Sequence, residues 1–444
     1  MHKIPTINVG IMSAEEILFS LNGSFLLNGN SAELSGEQSV RYENGMLKIE
    51  GSDSSAQELV FTPLDFDHSE FELKDVVIGV NFHWEQKENQ KFKGALKLIV
   101  EDGKVTAINV LPLENYLISV ISSEMSANSS LELLKAHAII SRSWLIAQIE
   151  KQEQITGATN QYESTFVSKH EYIKWYDRED HSNFHVCADD HCQRYQGVTR
   201  AHNPNVVRAV NETLGVILSY DGKVCDARFS KACGGVAELF ENCWEPVSHP
   251  YLTAVVDNPQ FPAGFEQDLT IEKNAKKWIS SAPEAFCNTH DEAVLKQVLN
   301  DYDWSAKDFY RWTMEYSQAE ISDLIRRRSG IDFGDILDLI PLERGTSGRL
   351  IRLKIVGSKR TVIVGKELEI RRWLSESHLY SLAFLVEKQD VENGLPQKFI
   401  LKGAGWGHGV GLCQIGAAVM GHKGYKYDEI LTHYFKNAML EKRY

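Results

Sequence analysis

A chain of 444 residues is longer than one core serves, since domains run to roughly 100–150 residues, so several subdomains are expected. A formal net charge of −14 argues against a polyanionic partner, and no basic run longer than the arginines of "IRRRS" offers nucleic acid a face. With 43% hydrophobic and 24% charged residues the composition is that of a soluble globular protein, and no apolar run approaches the ~18 residues that would span a bilayer.

The N-terminus reads without a signal peptide, because Glu15 and Glu16 interrupt it before an apolar stretch can form. The expectation is a cytoplasmic chain if the sequence is complete, or an exported one whose signal has been removed. Residues 1–110 form a β-rich region of short alternating runs separated by Gly, Asn and Asp. Within it "EDGK" predicts a hairpin, since Asp-Gly supplies the positive φ of a type I′ turn.

Residues 111–265 form a mixed core. Pro112 suits the first position of a helix through "LPLENYLISVISSEM", and Ser129 with Glu132 makes an S-x-x-E capping box for a second. That second helix carries two neighbouring apolar stripes, Leu131/Leu134/Ala138/Leu145/Ile149 and Leu133/Ala136/Ile140/Trp144, which predicts burial on most of its circumference. In the first helix Glu124 lies seven residues beyond Leu117, so a carboxylate ends an apolar face. Burial would raise its pKa towards what a general acid needs; the alternative is a side chain reaching water where the helix frays.

Next comes "HSNFHVCADDHCQRYQG". Cys187 and Cys192 can present two sulfurs from one loop, with His181, His185 and His191 as candidate nitrogens for a tetrahedral ion. Buried thiols with solvent-facing histidines are the plainer reading. The other five cysteines, Cys225, Cys233, Cys243, Cys287 and Cys413, are scattered and read as buried thiols, the odd total being incompatible with complete disulfide pairing.

Residues 266–345 read as a mostly helical segment. Residues 346–444 return to short strands and end in an amphipathic helix packing back on the core. There "LKGAGWGHGVGLCQIG" alternates glycine strictly, as in a strand with one face stripped for close approach; the other face would offer Trp406 and His408 to a sugar, or pack in a core.

Taken together, "LPLENYLISVISSEMSANSSLELLKAHAIISRSW", "CADDHCQRYQG", "FSKACGGVAE" and "GWGHGVGLCQIGAAVMG" resemble the SpoIID/LytB family, over roughly residues 75–444. One departure is Ser126, where the family commonly has Pro. The resemblance implies an α+β, SpoIID-like fold: the β-rich N-terminal region, a catalytic core with its buried helix, the helical segment and the glycine-rich C-terminal part. It also implies a location in the cell envelope and a lytic transglycosylase of peptidoglycan, cutting the linkage between N-acetylmuramic acid and N-acetylglucosamine to leave 1,6-anhydro ends.

By the resemblance, Glu124 is the acid. A structural zinc beside it would be held by His181, Cys187 and Cys192, with His191 orienting the site, and Arg142, Gln193, Ser230, His408 and Gln414 are substrate-contact candidates. Arg142, inside a buried helix, could instead hold that helix in place. Two further readings stay open: a murein-binding enhancer of a cell-wall amidase, and an intracellular relative acting on another glycan. A hydrolytic centre, with the metal activating water and Glu124 as base, ranks below these.

Overall fold

The computed structural model describes residues 3–52, 55–79, 85–126, 129–155, 164–175, 181–189, 192–199, 203–299 and 308–444. Most of the N-terminal region is one mixed sheet. From its edge the order runs 186–187, β1 (Thr6–Ala14), 104–112, 95–101, 58–63, 16–27, 33–43, 46–49 and 55–56, and the 70–78/86–92 hairpin joins through 16–27. The "EDGK" hairpin forms as expected: Asp102 and Gly103 take φ of 49° and 73°, and Glu101 pairs with Lys104.

The strand at 104–112 runs straight into α1 (Leu113–Glu124). Pro112 is the residue before this helix rather than its first turn: at φ −61°, ψ 143° it is still extended. After the bend comes α2 (Leu131–Ile155), in which Leu133, Leu134, Ala136, Ala138, Ile139, Ile140 and Leu145 are all fully buried. Even the polar His137, Ser141, Arg142 and Ser143 are shut away from water there. The expected box at Ser129 does not form. Ser129 donates its hydroxyl to the Gln297 carbonyl at 2.7 Å, Ser130 accepts from the Leu133 N–H, and Glu132 accepts from the Tyr427 N–H. Ser126, standing where Pro is usual, donates its N–H to the same Gln297 carbonyl at 3.0 Å, a bond that Pro would forfeit.

One core joins the inner face of the N-terminal sheet to α1, α2 and the C-terminal helices Gln414–His422 and Tyr427–Tyr434. A second is built within residues 312–401 around Trp312, Trp373 and Phe399. The 266–345 segment is less helical than its sequence reads: beside the helices 272–279, 292–295 and 318–329 it contributes strands 311–317 and 336–344. Both are edge strands, each paired on one side only; 311–317 does alternate, Trp312 and Tyr316 being buried and Thr313, Glu315 and Ser317 exposed.

The glycine-rich segment is not a strand either. The strand there ends at Ala404, and Gly405, Gly407, Gly409 and Gly411 all take left-handed φ between 74° and 92°. Period two in glycine fits a row of left-handed turns as well as a strand. At Gly411 a side chain would start 2.1 Å from the Arg228 carbonyl, so only glycine lets the two backbones run together.

Candidate functional site

A short strand, Val186–Cys187, lies parallel to Val9–Gly10 of β1 and places the His/Cys loop. His185 and Ala188 donate their N–H groups to the carbonyls of Asn8 and Gly10, and Tyr195 closes the loop through the Ala188 carbonyl. The ring of Phe184 lies over Gly10, where a β-carbon would come within 2.6 Å of it. Of the three histidines, His185 is used as a pin: its Nδ1 accepts the Asn8 N–H at 3.1 Å. His191 lies outside the described residues.

This folding brings His181, Cys187 and Cys192 together, their ligand atoms all within 4.8 Å of one another and each residue half-buried. His181 Nε2 stands 3.5 Å from Cys192 Sγ, and the Cys187 N–H points at the same sulfur at 3.5 Å. Two thiols and an imidazole at that separation suit zinc in kind and number, with room for a fourth ligand.

Glu124 is the last residue of α1 and is half-buried. The same helix touches the loop two turns earlier, at Tyr116. The Tyr116 phenol is fully buried, stacks on Tyr195 at 5.0 Å and donates to Gln193 Oε1 at 3.3 Å. Burial pushes its pKa well up, and Cys192, Cys187, Tyr195 and Glu124 push it further the same way. The carboxylate and both loop cysteines therefore lie within electrostatic reach of one hydroxyl.

The Stage II sporulation protein family model matches residues 101–220, which hold α1, α2 and this loop. A second, a domain of unknown function (DUF8618), matches residues 238–411. Residues 101–220 carry the SpoIID match, and the chain is similar to proteins of the SpoIID/LytB family.

Curated relatives of this chain include the amidase enhancer of Bacillus subtilis, 26% identical over 330 residues. That match takes in 72% of this chain but only 39% of the enhancer's length. An uncharacterized protein of Brachyspira hyodysenteriae is 26% identical over 345 residues, 78% of this chain and 71% of its own. Stage II sporulation protein D of Bacillus amyloliquefaciens is 22% identical over 337 residues, 74% of each.

The substrate-contact candidates fare differently from the loop. Arg142 is fully buried and forks onto Glu114 at 2.9 and 2.7 Å, with a third bond to the Val216 carbonyl at 2.9 Å, so it ties α1 to α2 and presents nothing to a ligand. Gln414 is likewise buried, 3.2 Å from His137 Nε2, and Gln193 is held between the Tyr116 hydroxyl and the Ser141 carbonyl. Polar residues in a family block are as easily core polar pairs as cleft contacts.

His408 is half-buried against Trp244, and its Nδ1 accepts the Val410 N–H at 3.0 Å. Burial, then the charges of Arg228, Arg371 and Arg349, hold its pKa well below the ordinary imidazole value, so it is neutral. Trp406 is packed between Phe309 and Tyr380 at 4.8 and 4.4 Å rather than bare for a sugar ring. Ser230 is different again, with a buried hydroxyl that has no hydrogen-bond partner among the described residues. Tyr116 and Tyr195 escaped the sequence reading; "ENYL" and "QRYQG" carry them, but a buried tyrosine looks like any aromatic core residue until its neighbours are known. Among the described residues no helix is long and apolar enough to cross a membrane.

Proposed function

We propose that this chain acts in the bacterial cell wall as a lytic transglycosylase, cleaving peptidoglycan between N-acetylmuramic acid and N-acetylglucosamine, with Glu124 as acid and then base. What supports this most is one observation: α1, which ends in the half-buried Glu124, also carries Tyr116, whose ring stacks on Tyr195 of the His/Cys loop. The acid and the metal-competent loop thus belong to one locality.

In the reaction, protonated Glu124 gives its proton to the glycosidic oxygen as the bond to the muramic acid anomeric carbon breaks, freeing the neighbouring sugar as an alcohol. The 6-hydroxyl of the same muramic acid attacks the oxocarbenium-like carbon. Its proton passes to the Glu124 carboxylate, the acid is restored, and the product is a 1,6-anhydro sugar with no water consumed. One carboxyl suffices, where a hydrolase needs two. Its proton must be exchangeable near the working pH.

His181, Cys187 and Cys192 would hold zinc, which when bound supplies a fixed positive charge and a cross-link within the loop. The residues around it do the rest: Tyr116 and Tyr195 pack the loop against α1, and β1 holds its outer side.

The second reading, a murein-binding enhancer of an amidase, is favoured by the similarity to the amidase enhancer and by the burial of Arg142 and Gln414. Mass spectrometry of sacculi digested by wild type and by Glu124→Gln separates the two, with and without peptide stems. Anhydro ends from wild type alone support the enzyme. None from either protein favours the enhancer, and equal yields from both take the acid role from Glu124.

A further inference from the structure

Four residues from separate stretches of the chain meet in the interior, away from the His/Cys loop and sharing no residue with it. The ligand atoms of Cys233, Asp257, Cys287 and Cys413 all lie within 4.8 Å of one another, and no residue of the four is more than 2% exposed. Cys233 Sγ and Cys287 Sγ are 3.7 Å apart. Two sulfurs bound to one zinc at ~2.3 Å each, on the edge of a tetrahedron, stand about 3.8 Å apart. A disulfide would need them at ~2.05 Å.

The surroundings fit ligands. The Cys233 N–H points at Cys413 Sγ at 3.2 Å, and the Gly235 N–H at Cys233 Sγ at 3.4 Å. Backbone donors aimed at sulfur orient and support a thiolate ligand. Asp257 is fully buried; its Oδ1 accepts the Tyr434 hydroxyl at 2.6 Å and its Oδ2 the Cys287 N–H at 2.7 Å. A buried carboxylate with two neutral donors and no ion pair among the described residues must take up either a proton or a cation. Arg311, on the wall of the neighbouring pocket, spends its donors on the carbonyls of Ser281, Gly234, Tyr310 and Trp278. That pocket is lined by Cys287, Tyr310, Arg311 and Ile415 and so borders the cluster. At Gly416 a β-carbon would come 2.3 Å from Asp257 Oδ1, so the absence of a side chain leaves the carboxylate its place.

We propose that Cys233, Asp257, Cys287 and Cys413 form a second, structural metal site, a closed tetrahedron of three sulfurs and one oxygen that takes zinc. Softness of the three sulfurs and a set of four ligands among the described residues both select zinc over calcium or magnesium. Bound there, zinc ties the Cys233-Gly-Gly turn and the 257 and 287 segments to Cys413, which immediately precedes the Gln414–His422 helix.

The test counts metal in the full chain, produced with zinc and purified under reducing conditions. Cys187→Ser/Cys192→Ser removes two ligands of the loop and leaves this cluster whole. Native mass spectrometry of that variant, folded by circular dichroism, is expected to find one zinc per chain, with a cobalt form showing intense thiolate-to-metal absorption. A folded variant without zinc overturns the site, whether its three thiols are free or Cys233 and Cys287 have oxidised together. Should the variant not fold, wild type decides. Two zinc ions support the site and none overturns it. A single zinc is assigned by X-ray absorption, three sulfurs with one oxygen supporting the cluster and two sulfurs with nitrogen overturning it.

Discussion

Arg142 of α2 and Glu114 of α1, both buried, meet in two parallel charge-assisted hydrogen bonds of 2.9 and 2.7 Å. The C-terminal Tyr444 adds its hydroxyl to the same carboxylate at 2.5 Å. Arg142→Ala would strand a buried carboxylate and is expected to cost about 3–5 kcal/mol in urea denaturation. Replacing both partners, Arg142→Met with Glu114→Leu, should cost clearly less, because no uncompensated charge remains. Equal losses would mean that packing, not charge, is what the pair supplies.

The metal loop should fail as a unit. Cys192→Ser is expected to lose the loop's zinc, and hydrogen exchange should then quicken at Ala188 and Tyr195, whose amides bond to the Gly10 and Ala188 carbonyls. Exchange that stays slow there would show that β1 holds the loop without an ion. Glu124→Gln, by contrast, should leave both zinc content and exchange as they are in wild type.

Stability should fall on the acid side of neutrality. Burial first, then the charge of Lys231, lowers the His137 pKa to about 3, and burial first lowers His378 and His433 to about 4. In the unfolded chain each titrates near 6.5. Between those values the unfolded state binds protons that the folded state refuses, so stability is complete above pH ~6.5 and drains away as pH falls. One such group removes up to about 1.4 kcal/mol per pH unit. Unfolding free energies from urea titrations at pH 6.5 and 5 should differ by about 1.6 kcal/mol less in His137→Gln than in wild type. The same loss in both proteins would take His137 out of the account.

Gly409 faces the guanidinium of Arg349, where a β-carbon would come 2.5 Å from Cζ. Arg349 is buried and bonded to the Cys233 carbonyl and the Ser347 hydroxyl, so it cannot yield cheaply. With φ at +78° as well, Gly409→Ala should cost about 2–4 kcal/mol by urea denaturation. A loss under about 0.5 kcal/mol, the range of surface changes, would mean that Arg349 moves aside.

Sequence periodicity was enough to find α1, α2 and the "EDGK" hairpin, because each is decided by neighbours three, four or two places away. It misplaced the cap of α2, since Ser129 is claimed by Gln297, 168 residues distant. It turned left-handed turns into a strand at Gly405–Gly411, where period two does not reveal the sign of φ. Spacing made Cys187, Cys192 and a nearby histidine legible as a group, since all fall within twelve residues, but it was the family resemblance that picked His181 from the three histidines. Cys233 and Cys413, 180 residues apart, leave no spacing to read; only the fold brings them together with Asp257 and Cys287.

The N-terminal sheet begins and ends in two-residue strands, Val186–Cys187 at one margin and Ser55–Ala56 at the other. A long bare margin invites another chain to add itself strand by strand. The histidine–cysteine loop, by lying along Asn8–Gly10 of β1, covers part of one such margin. Damage to that loop should first be visible as turbidity in a warmed solution.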